Sequence, residues 1–119
     1  MPCLVVCIRR NPDLTPEQFS HHWREVHAPL IRGCPPFAKH LRLYSQYHPS
    51  LDDGSAEGMF GGTGGFDGLA VLEFDTIEAM NAAFSEPDYL SQVQPDEARF
   101  IDLDACLSFV TERFDVVSH

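Results

Sequence analysis

The run Leu4-Val5-Val6-Cys7-Ile8 is apolar at every position. Successive strand residues point to opposite faces, so a strand over Cys3–Arg9 needs cover on both sides. A chain of 119 residues has about one domain's worth of material to supply that cover. The rest of the sequence must therefore provide a layer for one face and a partner for the other.

The next segments supply the first layer. Asn11-Pro12-Asp13 reads as a turn. Thr15 is placed to cap a helix, with Pro16 at its first position and Gln18 closing a capping box. The helix is expected to run to about His27 and to stop at Ala28-Pro29, because a residue before proline is pushed out of the helical region. Phe19, Trp23 and His27 are spaced i, i+4, i+8 and share one face. Gly33-Cys34-Pro35-Pro36 reads as a loop, and a strand is expected over Ala38–Tyr47. There Leu41 and Leu43 alternate with His40, Arg42, Tyr44 and Gln46. Residues 49–65 form a glycine-rich irregular stretch that resembles a flap, without the Gly-Lys-Ser/Thr of a phosphate loop. A third strand over Phe66–Phe74 leads through Asp75-Thr76-Ile77-Glu78 into a second helix with Ile77, Met80, Ala83 and Phe84 on its apolar face. Short helical pieces follow through Val93 and over Pro95–Phe100, and a last strand covers Ala105–Thr111.

The order is β-α-β, long loop, β-α-β in one domain spanning 1–119. It predicts an α+β, ferredoxin-like fold: a four-stranded antiparallel sheet with helices on one face. Two helices cover only one face of strands that are apolar on both. A second copy packed sheet to sheet would cover the other, which predicts a homodimer.

Charge narrows the partners. Asp and Glu number 18 against 8 Lys and Arg, which disfavours nucleic acid and anionic membrane surfaces. Every apolar run is far shorter than the roughly 20 residues of a membrane span. Met1-Pro2-Cys3-Leu4 places no basic region ahead of its apolar run, so a cytoplasmic location is expected. Cys3 and Cys7 lie four strand residues apart, roughly 13 Å, too far for a disulfide. With Cys34 and Cys106 they read as reduced thiols.

The pattern Phe19-x-x-x-Trp23-x-x-x-His27-Ala28-Pro29-Leu30 resembles the first-helix signature of the EthD family of dimeric α+β barrels. Phe66-Asp67-Gly68, Phe84-x-x-Pro87-x-Tyr89, Pro95-Asp96-Glu97-x-x-Phe100-x-Asp102 and Val110-Thr111-Glu112 are similar to its later parts. The resemblance implies a dimeric ferredoxin-like barrel with one pocket per subunit. Related proteins include cofactor-free lyases acting on polyketide carboxylic acids, cyclases and a methylmuconolactone isomerase, and the wider superfamily holds cofactor-free monooxygenases. One fold hosts many chemistries, so this step is analogy.

Several side chains are candidates for that chemistry. His27, at the expected helix end beside Trp23, suits an acid or base, and the resemblance implies a functional histidine there. His40 and Tyr44 share a strand face with Arg42. They would offer a second imidazole, a phenol able to donate to a developing enolate, and a guanidinium able to hold a carboxylate. Trp23 and Phe19 would wall the substrate, and Asp102 would orient a histidine. Against these stand plainer roles: a helix-capping His27, a half-exposed polar strand face, and a turn-capping Asp102. Glu73, in an apolar strand, would have a raised pKa if buried.

His21, His22 and His48 lack metal-ligand spacing, and no dinucleotide fingerprint is present, so no metal, NAD or flavin is expected. The resemblance implies no haem either, since the chain is short beside the haem-binding barrel relatives. The reading that follows is cofactor-free acid/base chemistry, of decarboxylase, dehydratase, cyclase or isomerase type, on a small aromatic, polyketide-like or lactone substrate. A non-catalytic binding protein serving an oxygenase, and a cofactor-independent monooxygenase, are the alternatives.

Overall fold

A computed structural model describes residues 1–50, 55–61 and 64–119. Four strands form one sheet: β1 (Pro2–Ile8), β2 (Leu41–Tyr47), β3 (Gly68–Phe74) and β4 (Leu107–Glu112), in the order β2-β3-β1-β4 with every neighbour antiparallel. Each β-α-β half therefore skips over one strand of the other half, the split arrangement of the ferredoxin-like fold.

Register separates the two faces. Leu4 pairs with Leu72 and Val110, and Val6 with Ala70 and Ser108. This set meets the helices. Val5 pairs with Val71 and Phe109, and Cys7 with Leu69 and Leu107. This second set points away from them. On that open face Leu107, Phe109 and Tyr47 are 58%, 57% and 56% exposed.

The first helix begins as the sequence predicts. The Thr15 hydroxyl accepts from the Gln18 N–H while the Gln18 side chain accepts from the Thr15 N–H, closing the capping box. Its end differs from expectation. α1 (Pro16–His22) passes through a π turn (Trp23–His27) into α2 (Ala28–Arg32), so Pro29 lies inside the helix. In the π turn the Ala28 N–H reaches back five residues to the Trp23 carbonyl. The wider turn relieves the clash a proline ring makes with the carbonyl four residues back. The same device recurs in the second half. Past α5 (Ile77–Ser85), a π turn at Tyr89–Val93, with Gln94 N–H bonded to the Tyr89 carbonyl, precedes α6 (Gln94–Phe100), which carries Pro95 in its first turn.

Other bounds shift modestly. Pro35–Ala38, expected as the end of a loop and the start of a strand, is a single turn of helix, α3, and β2 begins only at Leu41. Between β2 and β3, a short helix, α4 (Ser55–Phe60), occupies part of the stretch expected to be irregular. Residues 51–54 and 62–63 of that stretch lie outside the described residues. All four cysteines are free, and Cys34, in the connection between α2 and α3 as expected, is buried in the core. Among the described residues no helix is long and apolar enough to cross a membrane.

The core lies between helices and sheet and is built largely of Phe19, Trp23, Phe37, Phe74 and Phe100. Gly68, at the start of β3, lies under the Trp23 indole. A Cβ there would sit 2.4 Å from Trp23 Cζ3 and 2.8 Å from its Cη2. Gly68→Ala is expected to push the indole out of place and to destabilise the fold by roughly 1–3 kcal/mol, the usual cost of overpacking. Denaturant unfolding followed by the emission of this single tryptophan measures both effects.

Candidate active site

Between the helices and the sheet lies a cavity of about 230 Å³, lined by Trp23, His27, Tyr44, Tyr89 and Glu97 over a floor that includes Val6, Ala70, Leu72 and Ser108. This is below the roughly 300–1,000 Å³ of drug-sized pockets, so it suits a compact ligand. Its wall is mostly apolar, and the polar groups are few and converge.

His27 occupies the last position of the first π turn and is 4% exposed. Its Nδ1 lies 3.0 Å from Asp96 Oδ2. Asp96, 1% exposed, also meets His22 Nε2 at 2.9 and 3.0 Å and Arg99 Nη1 at 3.3 Å. Burial favours the neutral carboxyl, but the hydrogen bonds from His22 and His27 outweigh it and hold Asp96 below the usual carboxylate range. An ionised Asp96 can only accept, so Nδ1 of His27 carries the proton. Nε2, with no hydrogen-bond partner among the described residues, is left with its lone pair for the cavity. Burial lowers the His27 pKa despite the opposing pull of Asp96, which keeps the ring neutral at pH 7.

Tyr44 is held from two sides. Trp23 Nε1 donates to its oxygen at 3.3 Å, and Gln46 Nε2 reaches it at 3.5 Å while also donating to the Trp23 carbonyl at 3.0 Å. With the phenol oxygen accepting, its own O–H is free to donate. Burial raises its pKa, so the proton is held at neutral pH. A second pair lies on α6 and the second π turn. Tyr89 O–H donates to Glu97 Oε2 at 2.7 Å. Burial, with the nearby Asp96 charge, raises the Glu97 pKa against that hydrogen bond, and burial beside Glu97 raises Tyr89 as well.

The structure brings together His27, Tyr44 and Trp23 of the residues singled out from sequence; the others lie apart. Phe19 is packed beneath, 5.5 Å from the Trp23 ring and 5.7 Å from Phe100, and does not reach the cavity. His40 precedes β2 and lies 3.8 Å from Glu86, away from Tyr44's cavity. Arg42 is 3.0 Å from Asp75 on the exposed surface. The separation of Arg42 from Tyr44 has a backbone cause: the β2–β3 register jumps between Leu41 and Leu43. Leu41 pairs with Phe74 and Tyr44 with Leu72, on the helix side, while Leu43 pairs with Glu73 on the open side. The extra residue at the bulge breaks the alternation on which a shared His40–Arg42–Tyr44 face depends. Asp102 sits in the turn before β4, its N–H bonded to the Arg9 carbonyl, and the carboxylate that holds His27 is Asp96 instead. Glu73 faces away from the cavity, where it accepts from Cys3 Sγ at 3.4 Å and lies 3.7 Å from Arg113.

Asp96, Glu97, Tyr89 and Gln46 carry no assigned role in the sequence reading. Tyr89 and the Asp96-Glu97 pair stand within the family-like motifs, and that is the signal they offer. His48 sits over Trp23 at 4.5 Å between ring centroids, bonded to Ser20 and Gln46. Among the described residues no group of three His, Cys, Asp or Glu side chains is placed to hold a metal.

Two measurements check the electrostatics. NMR titration of the imidazole signals is expected to show His27 protonating only below the ordinary 6.5 of histidine. Asp96→Asn removes the groups that pull this pKa upward, so the His27 titration moves lower still. The same change breaks a buried hydrogen-bond network, with an expected loss of about 1–3 kcal/mol in unfolding free energy.

Comparison with known proteins agrees with this architecture. The curated dehydratase ustZ of Ustilaginoidea virens is 27% identical over 106 residues, covering 84% of this chain and 74% of that protein. A crystal structure of an EthD family protein from Bacillus halodurans superposes with a TM-score of 0.67 at 18% identity, covering 96% of this chain and 100% of the other. A dimeric protein of unknown function with a ferredoxin-like fold from Bacteroides fragilis gives 0.65 at 12% identity, with coverage of 94% and 95%. The model of the EthD domain matches residues 11–104, and with most of its length accounted for in this way the chain belongs to the EthD family.

Proposed function

We propose that this protein is a cytoplasmic acid/base lyase that needs no cofactor and dehydrates a small aromatic or polyketide-like β-hydroxy carbonyl compound. The observation that carries the reading is the His27–Asp96 pair. One ring nitrogen is fixed by a buried carboxylate and the other is offered to an apolar cavity that also contains a held phenol. The kinship with a dehydratase supports the choice of reaction among the proton-transfer types.

In this reading Nε2 of His27 removes the proton between carbonyl and carbinol carbons. The C–H electron pair becomes an enolate, and the Tyr44 O–H donates to its oxygen. Glu97, whose affinity for a proton burial raises, delivers one to the departing hydroxyl, which leaves as water as the enolate collapses to the alkene. The His27 proton then returns to solvent and Glu97 takes one back from solvent, which resets both groups. Asp96 stabilises the imidazolium formed in the first step and keeps the ring in the productive tautomer.

A suitable probe is 3-hydroxy-1-tetralone, which loses water to give, after tautomerisation, fluorescent 1-naphthol. The chelator-treated protein is expected to accelerate naphthol formation. His27→Ala is expected to lower kcat by about 10²–10⁴, the usual contribution of a positioned base. Full activity in that variant would refute the assignment of His27. Release of naphthol only after metal is restored would refute the cofactor-free mechanism.

The apolar open face of the sheet supports a homodimer as the working form, in keeping with the dimeric neighbour. Phe109 lies near the middle of that face, opposite Val5. Phe109→Asp would bury a charge in a sheet-to-sheet contact, so light scattering is expected to report half the wild-type mass.

A further inference from the structure

We infer that Arg24 and Arg32 form an anion subsite beside the cavity, which holds a carboxylate carried by the same substrate. The inference rests on the acid/base reading of the cavity and extends it by naming a second group the substrate bears.

A more open hollow of about 320 Å³ adjoins the cavity, lined by Arg24, Glu25, Ala28, Arg32, Tyr44 and Gln46. Tyr44 belongs to both walls. A ring lodged against Trp23 could therefore extend a substituent past the phenol into the hollow. Arg24, Ala28 and Arg32 fall four apart along the helix over 16–32 and line one stripe of it. The small Ala28 leaves space between two long guanidinium side chains.

The charges in the hollow are unusual for this molecule. It has 8 Lys and Arg against 18 Asp and Glu, and its other cations are mostly engaged. Arg10 is paired with Asp67, Arg42 with Asp75, Arg99 with Asp96, and Arg113 with Glu73 and Asp115. Arg9 lies over the Phe66 ring and donates to the Gly65 carbonyl. Among the described residues neither Arg24 nor Arg32 has an ion-pair partner, although Glu25 lines the same hollow. Two guanidinium groups without an ion-pair partner among the described residues of so acidic a chain, at the rim of the cavity, match the planar acceptor geometry of a carboxylate. The Arg42 expected from sequence to serve this purpose is committed to Asp75, on the other side of the bulge.

The test compares 2-naphthoate with 2-naphthamide, its uncharged near-isostere, by isothermal titration calorimetry at pH 7 and low salt. The net charge of −10 works against the anion, so a preference for naphthoate requires a local cationic site. The wild type is expected to bind naphthoate about tenfold more tightly, as one charge-assisted hydrogen-bonding contact would give. The double variant Arg24→Gln/Arg32→Gln is expected to lose that preference while binding naphthamide unchanged. Both side chains are exposed, and circular dichroism checks that the variant is folded. Equal affinities in the wild type, or a preference that survives in the variant, would overturn the subsite and leave the cavity reading standing. Binding of neither probe would overturn both.

Discussion

The Asp96 carboxylate ties the site together. It is sealed from solvent and lies within hydrogen-bonding distance of His22, His27 and Arg99, so it joins the first helix to the last. A lone buried carboxylate would be expensive. Here the donors that offset its burial are Arg99 and two imidazoles, one of them the His27 ring whose orientation the proposed chemistry uses. Removing Asp96 would free the His27 ring to turn over and would loosen the packing of both histidines on Phe100, which lies 4.9 Å from each ring.

The two π turns do a related job at the level of backbone. Each precedes a proline by two residues, and each supplies cavity-lining side chains: Trp23 and His27 from one, Tyr89 from the other. A turn whose bonds reach five residues back brings side chains four apart closer to the same direction. Trp23 and His27, and likewise Tyr89 and Val93, are accordingly buried together. Pro29, read from sequence as a stop, is accommodated inside a continuous helix, and Pro95 follows its π turn in the same way. Both halves of the chain meet the same constraint in the same way.

This explains which parts of the molecule could be read from sequence. The capping box at Thr15 and Gln18, the apolar β1 and the order of elements are local or periodic signals, and all of them appear in the fold. Trp23 and His27 share a face under either a regular or a widened turn, so their convergence is legible too. The stop at Pro29 misleads because a π turn leaves no mark in side-chain type. The bulge at Arg42 is equally silent, since it depends on how β2 registers with β3, and one extra residue there sends Arg42 to Asp75 rather than to the cavity. Asp96 is invisible as a partner of His27 because the two are 69 positions apart, while Asp102 looks equally suitable in a one-dimensional reading.

The adjacency of Asp96 and Glu97 has a consequence of its own. Two carboxylic residues joined by a single peptide bond are pushed in opposite directions, Asp96 downward by its hydrogen-bond donors and Glu97 upward by burial and its neighbour's charge. In the proposed mechanism their shared backbone fixes the spacing between the support of the base and the source of the acid. Under that mechanism a loosening of that one helical turn would disturb both halves of the proton traffic at once, so selection acting on either function would hold the other in place.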